Sequence, residues 1–125
     1  MFSIDHQSRI PVYEQVVAQI ERFVMLGLLQ SGSPLPSVRS LALELSANPN
    51  TVQKAYTELD RRGVTSSAPG KGSFIAKDAK EVLQKAKSSE IEQIKKSAFD
   101  CALAGIEKTL AIDAVEQGYV SATAN

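Results

Sequence analysis

The 125-residue chain has one cysteine, one histidine and no tryptophan. A single cysteine excludes an intramolecular disulfide framework and fits a reducing cytoplasm. One histidine beside one cysteine leaves too few ligands for a zinc site. His6 and Cys101 are the only residues from which a thiol–imidazole dyad could be built. There is no cluster of acids, bases and nucleophiles of the kind catalysis needs, which argues against an enzyme and calls for no cofactor. Long apolar runs are missing too. The longest, residues 24–29 and 101–106, have six residues each, against the roughly 18 that would span a bilayer. Residues 1–6 lack a basic flank followed by an apolar stretch, so no secretory signal is expected. Net charge is also absent, with 14 Lys plus Arg against 14 Asp plus Glu. That balance hides an asymmetry: residues 33–77 hold six cations against three carboxylates, and residues 78–125 hold six lysines against eight carboxylates. The centre of the chain could meet an anionic partner; the tail has no such bias.

What is present is helical periodicity broken by clear punctuation. Residues 11–27 predict an amphipathic helix, with Val12, Tyr13, Val16, Val17, Ile20, Phe23 and Val24 on one face. Pro11 suits its first turn and Gly27 its end. Residues 31–34 (Ser-Gly-Ser-Pro) read as a break. Ser37 is an N-cap candidate for a short helix with Val38, Leu41, Ala42 and Leu45 as its stripe, ending near Ser46. Asn48 followed by Pro49 opens a third helix. There Val52, Ala55, Tyr56 and Leu59 cover an arc of about 100°. Asn50, Gln53, Lys54, Thr57 and Arg61 fall opposite, an arc free of carboxylates, and Gly63 ends the helix. Residues 64–68 and 73–76 are strand-like around the tip Pro69-Gly70-Lys71-Gly72, where Gly70 and Gly72 could take positive φ and admit a partner's close approach.

From Asp78 onward proline disappears and Ala, Lys and Glu dominate. Residues 79–109 predict one long helix with a weak point at Ser88-Ser89. A shorter helix over about residues 112–122, capped near Asp113, follows. The first has Val82, Leu83, Ala86, Ile91, Ile94, Ala98, Cys101, Ala102, Gly105 and Ile106 at its apolar positions; the second has Val115, Tyr119 and Val120. Among those neighbours Cys101 reads as packing rather than redox chemistry.

Two short helices joined by a tight turn, with a helix before and a hairpin after, describe a winged helix-turn-helix. An α-helix fits the major groove of B-DNA and its N-terminal residues reach base edges. Asn50 and Gln53 could pair with adenine, Thr51 could meet a phosphate or a thymine methyl, and Lys54 and Arg61 could meet phosphates or guanine. An ordinary solvated helix face would show much the same polarity.

Residues 11–76 resemble the DNA-binding domain of the GntR family of bacterial transcription regulators. The matching stretches are Pro11-Val12-Tyr13-Glu14-Gln15, Leu35-Pro36-Ser37-Val38-Arg39-Ser40-Leu41-Ala42, Asn48-Pro49-Asn50-Thr51-Val52, Ala55-Tyr56, Leu59, Gly63 and Gly70-Lys71-Gly72-Ser73-Phe74. The resemblance implies that Ser37 meets a phosphate and Arg39 reads guanine. It puts Asn50, Thr51 and Gln53 at DNA-facing positions, and places Gly70 with its neighbour Lys71 at a wing tip entering the minor groove. Many relatives carry basic residues at the places of Pro49 and Gln53, and the Pro-Asn-Thr-Val form resembles the YtrA branch. With so few cations, modest non-specific affinity is expected.

The same resemblance assigns the tail. Residues 78–125 are too few for the family's large effector domains and contain no histidine; they look like the short two-helix dimerisation hairpin of the YtrA branch. The small and apolar residues Ile94, Ala98, Ala102, Gly105 and Ile106 would form its contact. The expected architecture is therefore mostly α with a small β-hairpin: a winged helix-turn-helix DNA-binding domain at 1–77 and a helical dimerisation segment at 78–125. The expected protein is a cytoplasmic, homodimeric regulator, by resemblance a repressor, on a pseudo-palindromic double-stranded operator. A winged-helix protein-interaction module without DNA binding is the alternative, and a small-molecule effector stays open because the sequence is silent on any ligand.

Overall fold

The computed structural model describes residues 1–123. It divides into two compact units, Met1–Ala86 and a second that begins at Lys87.

The first unit is built on α1 (Val12–Met25), α2 (Val38–Leu45) and α3 (Pro49–Arg62). These are followed by β1 (Thr65–Ala68), β2 (Gly72–Ile75) and α4 (Ala79–Ala86). Each boundary has a local cause. Pro11 is the N-cap of α1 rather than part of its first turn, and its carbonyl accepts from Gln15 N at 3.1 Å. Ser37 Oγ accepts from Ser40 N at 3.0 Å, the cap expected of a serine there. α2 ends because Ser46 turns left-handed, φ 52°, unusual for a residue with a Cβ. Asn48 then caps α3 through Asn50 N at 2.8 Å, and Gly63 at φ 81° closes it.

One apolar cluster joins these elements. Ile20, Leu41, Val52, Ala55, Leu59 and Val64 are fully buried, and Ile75 on β2 covers one side. At about 1.5–3 kcal/mol per large side chain, their burial is the main support of the unit. α4 belongs here as well: Ala79 and Leu83 join the cluster, so the compact unit runs past Lys77 to Ala86. The hairpin is antiparallel, with Thr65 opposite Ile75 and Ala68 opposite Gly72.

Two parts of this unit were not anticipated. Residues 32–35, which overlap the stretch 31–34 expected to be a break, lie along β2 as a third segment. Leu35 N donates to Ser73 O and Ile75 N to Ser33 O, each at 2.8 Å, around a Pro34–Phe74 bridge. Residues ahead of α1 are docked on it. Phe2 stacks at a tilt on Phe23, centroids 5.5 Å apart. Gln15 Nε2 donates to the carbonyls of Asp5 and Ile10 at 3.0 and 2.8 Å.

The second unit holds α5 (Ser89–Leu103) and α6 (Lys108–Thr123). The expected continuous helix over 79–109 is corrected. It breaks at Lys87–Ser88, close to the weak point, and stops again at Leu103. There Gly105, at φ 77°, turns the chain: Gly105 N donates to Ala102 O and Ile106 N to Cys101 O. This is the paired closure that a left-handed glycine allows. The last helix starts at Lys108, earlier than the expected residue 112. Asp113 is inside it and accepts from Gln117 Nε2 one turn on, instead of capping it.

Candidate nucleic-acid interface

Packing of α2 against α3 around Leu41, Ala42, Val52 and Ala55 leaves the N-terminal ends of both helices exposed. A hydrogen bond adds to this frame. Tyr56, 3% exposed, donates from its hydroxyl to Pro36 O at 2.7 Å. The chain is thus fixed just before Ser37 and Arg39. Burial, and secondarily the Glu44 carboxylate, push this phenol up from its ordinary value, so it stays protonated.

The residues read as DNA contacts fall into three settings. Arg39, Asn50 and Lys71 are exposed, and among the described residues no side chain pairs with their polar ends. Ser37 and Gln53 are exposed but engaged. The Ser37 hydroxyl donates to Ser40 Oγ at 2.9 Å besides capping α2, and Gln53 Nε2 donates to Thr57 Oγ1 at 3.3 Å. Thr51 is half-buried. Lys54 lies with Nζ 3.9 Å from the centre of the Tyr13 ring, within cation–π range. At the wing, Gly70 (φ 74°) and Gly72 (φ 100°) have the expected positive φ, and a Cβ on either would meet nothing within 4 Å. The tip therefore presents open backbone.

One expectation fails. The outer arc of α3 is not free of acid, because Glu58 lies at its side. Arg61 Nε donates to both Glu58 oxygens at 2.9 and 3.0 Å, and Nη2 donates to Oε1 as a third bond. Arg62 reaches Glu58 at 3.3 Å and Glu21 of α1 at 3.1 and 3.2 Å. The hydrogen bonds from Arg61 lead in holding the Glu58 carboxyl at about 2. These groups line an open groove of about 670 Å³ between α1 and α3, together with Tyr13, Asn50, Gln53, Lys54 and Thr57. Periodicity assigned Arg61 an anion-facing role; its carboxylate partner one turn back was the missed signal.

In the second unit neither helix buries a residue. Ile94 and Ile106 are 44% and 46% exposed, and Ala98 and Ala102 are exposed beside them. Gly105 lies past the helix end, so it reverses the chain rather than lining a helical face. Phe99, Leu103, Leu110 and Ile112, absent from the sequence reading of the contact, are exposed too. Among the described residues no helix is long and apolar enough to cross a membrane, and no group of acidic, His or Cys side chains could hold a metal ion.

Comparison with known proteins places this geometry. The chain is 43% identical over 108 residues to the HTH-type transcriptional repressor YtrA of Bacillus subtilis, covering 86% of this chain and 83% of that protein. A transcriptional regulator from Oenococcus oeni superposes with a TM-score of 0.71 at 30% identity, covering 94% of this chain and 97% of that one. AraR(DBD), in a crystal structure with operator ORX1, shares the fold at a TM-score of 0.55 and 24% identity, over 61% of this chain and 96% of its own. The family described as bacterial regulatory proteins, gntR family, matches residues 12–75. The matched span takes in the three helices and the wing, and the chain belongs to the GntR family.

Proposed function

We propose that this GntR-family regulator binds an operator sequence-specifically as a homodimer and represses transcription from it. The observation that carries the reading is the exposed set Arg39, Asn50 and Lys71, borne on one folded frame with no side-chain partner for their polar ends among the described residues. Arg39 suits bidentate recognition of guanine, Asn50 suits adenine, and Lys71 suits a phosphate beside the wing. Ser37, Thr51, Gln53, Lys54 and Gly70 complete the surface. Ser37 and Gln53 would exchange their present hydrogen bonds for DNA partners, and Lys54 would face the backbone from above Tyr13.

Residues 1–77 would carry the DNA contacts. Residues 78–125 would carry dimerisation, with Ile94, Ala98, Ala102 and Ile106 in the contact and Gly105 setting the turn between its helices. Among the described residues neither tail helix has a fully buried side chain, and burying their apolar side chains against a second copy removes them from water. One recognition helix reads only a few base pairs, so two held at fixed spacing supply useful specificity. In this reading the protein works in the cytoplasm beside its DNA and has no catalytic role. Selection from random DNA, read by sequencing and followed by footprinting, tests it. The expected result is an inverted repeat whose half-sites lie one or more helical turns apart. Enrichment of no sequence would refute it.

A further inference from the structure

We infer that Glu58 masks Arg61 from the DNA backbone and so lowers the general affinity of the domain. This rests on reading α3 as the groove-entering helix. Arg61 follows Asn50 by eleven positions, about 16 Å along the axis at ~1.5 Å per residue. A major groove about 12 Å wide is already crossed at that distance. If Asn50 is at a base edge, Arg61 is over the phosphate wall.

The guanidinium is on the correct face for that contact. It shares its groove with Asn50, Gln53, Lys54 and Thr57, and its side chain is 71% exposed. It is already occupied, however. Glu58 takes Nε through both oxygens and Nη2 through Oε1. A carboxylate and a phosphate compete for the same planar fork of donors. The Glu58 side chain is itself only 21% exposed and its carboxylate is steadied by Arg62, so it stays in place while the arginine moves. Arg62 differs from Arg61 because it has a second carboxylate, Glu21 of α1. Loss of Glu58 therefore frees one arginine, and the effect should amount to one phosphate contact.

The test compares the wild type, Glu58→Gln, Arg61→Gln and the double variant by fluorescence anisotropy. The probes are the selected operator duplex and a scrambled duplex of equal length, titrated from 50 to 200 mM salt. Glu58→Gln should tighten binding to both duplexes about fivefold at the lowest salt and steepen the log–log salt slope by about 0.9. The ratio between operator and scrambled DNA should not change, because a phosphate contact carries no base information. Arg61→Gln should match the wild type, and the double variant should return to it. An unaltered slope in Glu58→Gln overturns the inference. So does weaker binding by Arg61→Gln alone, which would put Arg61 on the DNA already. So does a gain that survives in the double variant, which would make Glu58 a simple repulsive charge. A wild type that binds neither duplex overturns the DNA-binding reading itself.

Discussion

Replacing Tyr56 by Phe isolates the hydrogen bond that fixes the approach to α2. The ring volume is kept and only the hydroxyl is removed, so the core around Val52 and Leu59 is not opened. What is lost is a 2.7 Å bond from a 3%-exposed donor to Pro36 O. A neutral bond of this kind contributes about 1 kcal/mol net, and a carbonyl left partly buried without a partner raises the cost toward 2 kcal/mol. For a unit of this size each kcal/mol is about 4–8 °C in Tm, so a fall of about 4–16 °C at pH 7 is expected in a thermal melt. The pH dependence fixes the mechanism. Burial raises the folded-state value of the phenol above the ordinary 10.0. The group therefore contributes stability that is fully present below pH 10 and is lost as pH rises beyond it, where the unfolded chain ionises and the folded one does not. Phenylalanine has no such loss, so the gap between wild type and variant should narrow between about pH 10 and pH 11. An unchanged Tm at pH 7, or a gap that widens in alkali, would refute this account of Tyr56.

Three further outcomes concern the interface. Arg39→Ala should cost roughly 1–3 kcal/mol at the selected operator and relax preference at one position per half-site, without altering the melt. Competition binding with single-base operator variants checks it, and unchanged preference refutes it. Lys71→Ala should weaken binding about equally on all sequences and reduce the salt slope by about one; a change in base preference at constant slope would contradict it. Ala102→Glu should bring like charges together in the proposed contact and yield a monomer in light scattering. Its operator affinity should fall by about 10²–10⁴ as the half-sites are bound separately, and a dimer of undiminished affinity would remove Ala102 from the contact.

The features legible in the sequence were those with local causes. Ser37, Asn48-Pro49 and Gly63 mark helix ends because capping is settled within three or four residues. Periodicity likewise placed Ile20, Leu41, Val52 and Leu59 in the core. Gly105 was expected inside a helix because a small residue at helical spacing looks the same in sequence whether it continues the helix or turns left-handed, and only φ separates the two. The extended segment 32–35 was invisible because its hydrogen-bond partners, Ser73 and Ile75, lie beyond two helices in the chain. Arg62 was missed for the same reason: its partner Glu21 is 41 positions away. Among the candidate contacts, side-chain type suggested Arg39 and Asn50; nothing local revealed that Tyr13 underlies Lys54, whereas Glu58, three positions before Arg61, was a local signal that periodicity alone passed over.

The third segment along β2 also has a kinetic consequence. Two strands of four residues, with one cross-strand hydroxyl pair, Ser67 and Ser73, do not persist as an isolated hairpin in water. The wing therefore becomes stable only when residues 32–35 and the α3 end bring their partners to it, and those contacts close long loops. In a nucleation–condensation process the helices would form the nucleus and the wing would join late. Substitutions such as Ser73→Gly, which weaken the sheet, should then speed unfolding and leave the folding limb of a chevron nearly unmoved. The part of the domain proposed to approach DNA by open backbone would also be the part that opens first.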